Sequence, residues 1–198
     1  MPSTKDIKRR IKSIKSTHQI TKAMELVAAA KMRRAQQQVL AARAYAALAW
    51  ELIQNLTHKT DRSVHKLLRE PQKEGRAAIL LITSNRGLIG GFNNNIINTA
   101  MAYAKTEVSR EFVTFGKKGR DAVRKRGFLI AAEFEKKDVS IAGIDIRPVA
   151  RLLIEDFINE KYDKVIMVYM HYISTLVQKP RVKQLLPLVS NATSHKPQ

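Results

Sequence analysis

The stretch of this chain best placed to do chemistry is Ser84-Asn85-Arg86-Gly87-Leu88-Ile89-Gly90-Gly91-Phe92-Asn93, which follows the short apolar run Ala77–Thr83 and precedes a helical pattern reaching about Arg110. Strand, glycine-rich turn and helix open a βαβ unit, and such a turn can cradle a phosphate on its backbone N–H groups. The pattern is neither G-x-G-x-x-G nor a P-loop, because no Gly-Lys-Ser/Thr closes it. The favoured reading is structural, with the glycines supplying positive φ and close packing. The five histidines, His18, His58, His65, His171 and His195, are scattered and form no Ser/His/Asp, Cys/His or metal-spaced cluster. The absence of cysteine excludes disulfides, Cys-ligated zinc and thiol catalysis. The expectation is a chain without catalytic residue, cofactor site or metal site.

The turn sits behind an element of a different kind. From Ser3 to about Thr57 the pattern is helical throughout, and no Gly or Pro occurs between Pro2 and Pro71. Ser3-Thr4-Lys5-Asp6, followed by Ile7, reads as a capping box that opens a helix. Every seventh residue then holds Ile7, Ile14, Thr21, Ala28, Ala35, Ala42, Ala49 and Leu56, all apolar except Thr21. Such a helix is roughly 80 Å long. An apolar seam of that length predicts a partner helix, the alanines allow close approach, and the seven-residue repeat predicts left-handed supercoiling.

Charge narrows the choice of partner. The 198 residues carry a formal charge of +19, and residues 1 to 60 hold 12 basic against 3 acidic side chains. That balance calls for an acidic or polyanionic surface. A basic-zipper reading is disfavoured, since the charges interleave with seam residues and the later heptads carry alanine instead of leucine. No nucleic-acid partner is expected. The apolar runs fall well short of the 18 or so residues of a membrane span, and the N-terminus lacks the apolar core of a signal peptide. The chain reads as soluble and unprocessed, with no direct membrane span.

At 44% hydrophobic content the remainder can hold one ordinary α/β domain. Pro71 marks a boundary, with a possible short helix at Ser63–Arg69 before it. Strands are expected at Ala77–Thr83, Phe112–Phe115, Phe128–Phe134 and Lys164–Met170, and helices at Gly116–Arg126 and Val149–Lys161. His171–Leu188 reads as extended structure broken by Pro180. The division is a coiled-coil shaft helix over 1–58, a connection over 59–75, a Rossmann-like α/β domain with a mostly parallel sheet over 76–188 and a polar tail over 189–198. On residue patterns alone, a shaft-like interaction protein, a nucleic-acid binder and a Rossmann enzyme all remain open.

Four segments decide among them: Asp6–Gln36, Leu81–Ile96, Gly116–Gly127 and Tyr162–Pro180 closely resemble the gamma subunit of F-type ATP synthases. The resemblance implies a non-catalytic central rotor shaft. That shaft turns inside a head of alpha and beta subunits, meets the epsilon subunit and the membrane rotor ring, and couples ion flow to ATP synthesis or hydrolysis at the beta subunits. By resemblance, Lys8, Arg9, Lys22, Met24, Lys31 and Arg33 face the stator head, the segment Ile20–Met24 matching the one that meets an acidic loop of beta. Arg86, Gly87, Gly90, Gly91, Phe92 and Asn93 match the family's turn motif. Asn85 replaces the usual Asp, and Ile89 stands where Cys is frequent. The family's C-terminal helix, which pairs with the first, has no counterpart in this sequence, so a truncated or incomplete chain is expected. The start matches the family's mature start, which implies a peripheral protein on the cytoplasmic face of a bacterial plasma membrane.

Overall fold

The N-terminal capping signal is realised reciprocally in the computed structural model, which describes residues 3–59, 65–69, 75–135 and 146–188. Ser3 Oγ accepts from the Lys5 N–H at 3.3 Å, and the Ser3 N–H donates to the Asp6 carboxylate at 3.2 Å. Helix α1 then runs unbroken over Thr4–Lys59, 56 residues, or about 84 Å. Thr21 joins the apolar seam because its hydroxyl turns inward, donating to Thr17 O and His18 O at 3.0 Å. Ile14 and Leu56 stay 68% and 63% exposed, and of the eight seam residues only Ala49 is half-buried. Seven of the eight seam residues are thus exposed.

The chain falls into two compact units, Met1–Leu52 and Ile53–Gln198. The second contains strands β1 (Arg76–Ile82), β2 (Ser109–Phe115), β3 (Ile130–Phe134), β4 (Lys164–Tyr172) and β5 (Gln178–Leu186). Its helices are α2 (Phe92–Ala104), α3 (Lys117–Lys125) and α4 (Arg147–Ile158), with a 3-10 turn at Lys66–Leu68. The strands form one sheet in the order β3-β2-β1-β4-β5, parallel except for the antiparallel β4–β5 pair. Mixed α/β with a mostly parallel sheet is thus the architecture.

The continuous apolar run of β1 has a direct cause, since a central parallel strand is buried on both faces. Ile79 and Leu81 enter one core with Ile96, Phe112, Val123 and Val168, beneath α2 and α3. Ala78 and Leu80 enter the other with Val113, Leu153, Phe157 and Val165, beneath α4. At the foot of the second core, the Tyr162 hydroxyl donates to the Glu111 carboxylate at 2.5 Å. Burial, and then this bond, push the Tyr162 phenol up to about 12. Its proton is therefore held more tightly in the folded chain than in the unfolded one. The stabilisation is complete below pH 10 and lost as pH rises from 10 toward 12. Tyr162→Phe is expected to flatten this alkaline loss, which pH-dependent denaturant unfolding measures.

Several boundaries depart from the sequence pattern. Helix α2 stops at Ala104, because Thr106 closes a turn on Tyr103 O through both its N–H and its hydroxyl and β2 then begins at Ser109. Phe128 precedes β3; its ring packs edge-on against Phe112 at 5.4 Å. Helix α4 ends at Ile158 instead of Lys161, with Glu160 in the left-handed region at φ 62°. Pro180 does not break β5: it pairs opposite Met170 in an edge strand, where the missing N–H is tolerated. Of the connection, Lys59 still belongs to α1, the expected Ser63–Arg69 helix is a single turn at Lys66–Leu68, and residues 60–64 and 70–74 lie outside the described residues, as does the 189–198 tail.

Candidate functional site

On an α-helix each residue advances about 100°, which sorts the head-facing candidates on α1. Lys8, Lys22 and Arg33 fall within about 40° of one another, Arg9, Met24 and Lys31 within about 60°, and the two groups lie about 150° apart. All six are exposed. They form two stripes, one on each side of the helix, and no single patch. Lys15, which the sequence reading did not single out, lies in the first stripe and is exposed as well; the heptad spacing Lys8, Lys15, Lys22 is the signal that would have found it. Lys22 Nζ meets Glu25 at 3.0 Å with both side chains mostly exposed, a contact worth a few tenths of a kcal/mol.

The turn motif is built around Asn93. Its side-chain oxygen accepts from the Ser84 N–H at 3.2 Å, and its amide donates to Ser84 Oγ at 2.9 Å. Ser84 Oγ in turn donates to Arg86 O at 2.6 Å. The first turn of α2 is thereby tied to the end of β1. Gly90 has φ +59°, as the structural reading of the turn requires, and Gly91 is the cap residue of α2. Arg86, Gly87, Gly90 and Gly91 are exposed, whereas Phe92 packs against the core beneath α2. Leu88 also adopts positive φ, at 58°, and is fully exposed. Ile89 is 42% exposed, so the usual Cys position is not a core position here.

Among the turn glycines a Cβ would be tight only at Gly91, 3.3 Å from the Asn95 side chain, and the closest packing lies outside the turn. A Cβ at Gly87 would make only ordinary contact with Lys118, and one at Gly90 would meet nothing. At Gly116, by contrast, a Cβ would lie 2.4 Å from Thr83 O, and at Gly119 it would lie 2.8 Å from Thr83 Oγ1. These glycines let the end of β1 seat itself on the N-terminus of α3. There Thr83 Oγ1 accepts from the Gly119 N–H at 2.8 Å, Ser84 O from Lys118 at 3.1 Å, and the Asn85 side chain from Lys117 at 3.1 Å. The opening donors of α3 are therefore occupied by the chain's own turn, leaving no phosphate cradle at this helix. Asn85 supplies the capping oxygen without the charge that Asp would bring to a helix N-terminus.

Across the same helix, Lys117 pairs with Glu135 at 3.2 Å, and Arg120 and Arg124 both reach Glu133, which fastens the edge strand β3 to α3. Among the described residues no group of three or more His, Asp or Glu is placed to hold a metal ion, and no helix is long and apolar enough to cross a membrane.

The family model described as ATP synthase matches residues 3–198. The ATP synthase gamma chain of Pelotomaculum thermopropionicum is 42% identical over 190 residues, covering 94% of this chain and 66% of that one. That of Chlorobaculum tepidum is 37% identical over 195 residues, covering 95% and 67%. This chain spans about two thirds of the length of such relatives. Among solved structures, a chain of the Tetrahymena thermophila mitochondrial ATP synthase central stalk and c-ring superposes with a TM-score of 0.67 at 21% identity, covering 90% of this chain and 80% of that one. A rotor chain of the Euglena gracilis enzyme gives 0.54 at 19%, covering 90% and 61%. At those identities the structures establish the fold, an α/β architecture with a long N-terminal helix. The match from residue 3 to 198, together with the identity to full gamma chains, establishes the family: this chain belongs to the ATP synthase gamma chain family.

Proposed function

We propose that this chain is the central-stalk rotor subunit of an F-type ATP synthase, and that it transmits torque without performing bond chemistry itself. The observation that carries the reading is α1: 56 residues without a break, an apolar seam exposed at seven of its eight positions, and basic side chains on two sides, in a member of the gamma chain family. A second helix closes the seam and stiffens the shaft. The stripe of Lys8, Lys22 and Arg33, with Lys15, and the stripe of Arg9, Met24 and Lys31 meet acidic loops of the surrounding alpha and beta subunits. A helix with unlike sides presents each beta subunit with a different surface as it turns. Nucleotide affinity at a beta site then depends on shaft orientation, because the contacts differ between beta conformations.

The α/β unit is the foot of the rotor, meeting the epsilon subunit and the membrane rotor ring. The chain then lies peripherally at a membrane, on the cytoplasmic face of the bacterial plasma membrane. The turn motif of Arg86, Gly87, Gly90, Gly91, Phe92 and Asn93 serves the foot structurally, Asn93 clasping α2 to Ser84 at the end of β1, while Thr83, Ser84 and Asn85 seat α3 there. The reading is tested by purifying the complex that contains the full chain. Alpha and beta subunits are expected in it, with ATPase activity in the complex and none in the isolated chain; activity in the isolated chain, or a complex lacking alpha and beta, would overturn it.

A further inference from the structure

The register of the β4–β5 hairpin gathers a basic row that the rotor reading does not use. Met167 pairs with Lys183, Tyr169 with Arg181 and His171 with Lys179. Paired residues in an antiparallel ladder share a face, and so do alternate residues along a strand. Lys179, Arg181 and Lys183 therefore line one face of the edge strand over about 13 Å. Two contacts agree: the Tyr169 and His171 rings meet edge-to-face at 6.3 Å, and the Lys183 ammonium is lowered by burial and then by neighbouring Arg181. Lys179 and Arg181 are exposed, and among the described residues no carboxylate pairs with either. At the end of this row the hairpin tip projects aliphatic side chains into solvent: Leu176 is 95% exposed, Ile173 45% and Val177 43%. The tip is held in shape by Ser174, whose Oγ accepts from the Val177 N–H at 3.1 Å.

We propose that this hairpin face docks an acidic protein segment, its carboxylates on Lys179 and Arg181 and its aliphatic side chains on Leu176 and its neighbours. Charge complementarity sets the sign of the occupant, and the aliphatic tip sets its class. Nucleic acid stacks its bases on aromatic rings, but the two rings beside the row, Tyr169 and His171, already pack edge-to-face on each other, and the tip offers only aliphatic side chains. A membrane would take up the tip, but the row runs away from it. Arg181 lies about 13 Å behind Val177 along the strand, more than one Debye length from a bilayer that the tip had entered. An apolar contact beside a charged one is the make-up of a protein interface.

The proposal does not depend on the rotor reading. Its test is photo-cross-linking in the complex that contains the full chain, with Leu176→p-benzoylphenylalanine as the probe and peptide sequencing of the adduct. The expected adduct is a segment of another protein in which Asp and Glu outnumber Lys and Arg. Its yield should fall tenfold or more with Lys179→Glu and Arg181→Glu together and persist with Lys179→Arg and Arg181→Lys, the melting temperature staying unchanged in both pairs. Adducts on lipid, on nucleic acid, on a segment without acidic excess or on this chain itself would overturn the proposal. So would no adduct, or a yield indifferent to charge reversal. An acidic adduct on a protein unrelated to ATP synthase would uphold the docking face while removing the rotor reading.

Discussion

Gly116→Ala is expected to destabilise the α/β unit by about 3–5 kcal/mol, combining left-handed backbone strain with overpacking. Gly116 has φ +115°, and its Cβ would lie 2.4 Å from Thr83 O and 2.8 Å from Thr83 C. Those atoms are backbone, so no side-chain rotation relieves the overlap. Thr83 itself cannot withdraw, since its N–H donates to Phe115 O at 2.9 Å and its hydroxyl accepts from Gly119. Gly90 supplies the contrast: it also has positive φ, but a Cβ there meets nothing, so Gly90→Ala should cost only about 1–2 kcal/mol of conformational strain. Denaturant unfolding of the purified chain measures both. Equal losses at the two positions would show that the contact with Thr83 does not govern Gly116.

Phe112→Ala should cost about 3–5 kcal/mol, the range for truncating a buried aromatic. Phe112 is fully buried in the core beneath α2 and α3, and its ring meets Phe128 edge-on at 5.4 Å. Its strand is paired on both sides, with β1 and with β3, so neither neighbour can collapse into the space without breaking ladder hydrogen bonds. Phe112→Leu leaves most of the volume filled and should cost less than about 2 kcal/mol. Set against a total stability of about 5–15 kcal/mol, the alanine variant approaches the limit of folding and the leucine variant does not. A loss of under 1 kcal/mol for alanine would mean that this core repacks freely around β2.

These two sites show what the sequence reveals and what it hides. The shaft was legible because its evidence is local: a capping box at Ser3–Asp6, an unbroken run without Gly or Pro, and a residue repeat read directly off the chain. Strand β1 was legible because burial on both faces leaves a continuous apolar run. The boundaries of β2, β3 and α4 were less so, because Ser109–Glu111 and Phe128 are assigned by pairing and packing partners distant in sequence. Pro180 misled for the same reason, since an edge position is a property of the sheet and not of the residue.

The turn motif gives the clearest case. Its glycines are visible in the sequence, but the closest contacts belong to Gly116 and Gly119, which Thr83 approaches across 33 and 36 residues of chain. The capping role of Asn85 was hidden likewise, because Lys117 lies 32 residues away. On α1 the head-facing candidates came from resemblance to a family, and helical geometry then divided them into two stripes and brought in Lys15.

Rotation of this chain within its complex separates a turning shaft from a static stalk. Arg151→Cys, on the exposed face of α4, offers an attachment point for an optical probe while the head is fixed to a surface. On addition of ATP the probe is expected to turn in one direction, in discrete steps. A probe that stays still on a complex that hydrolyses ATP would contradict the account.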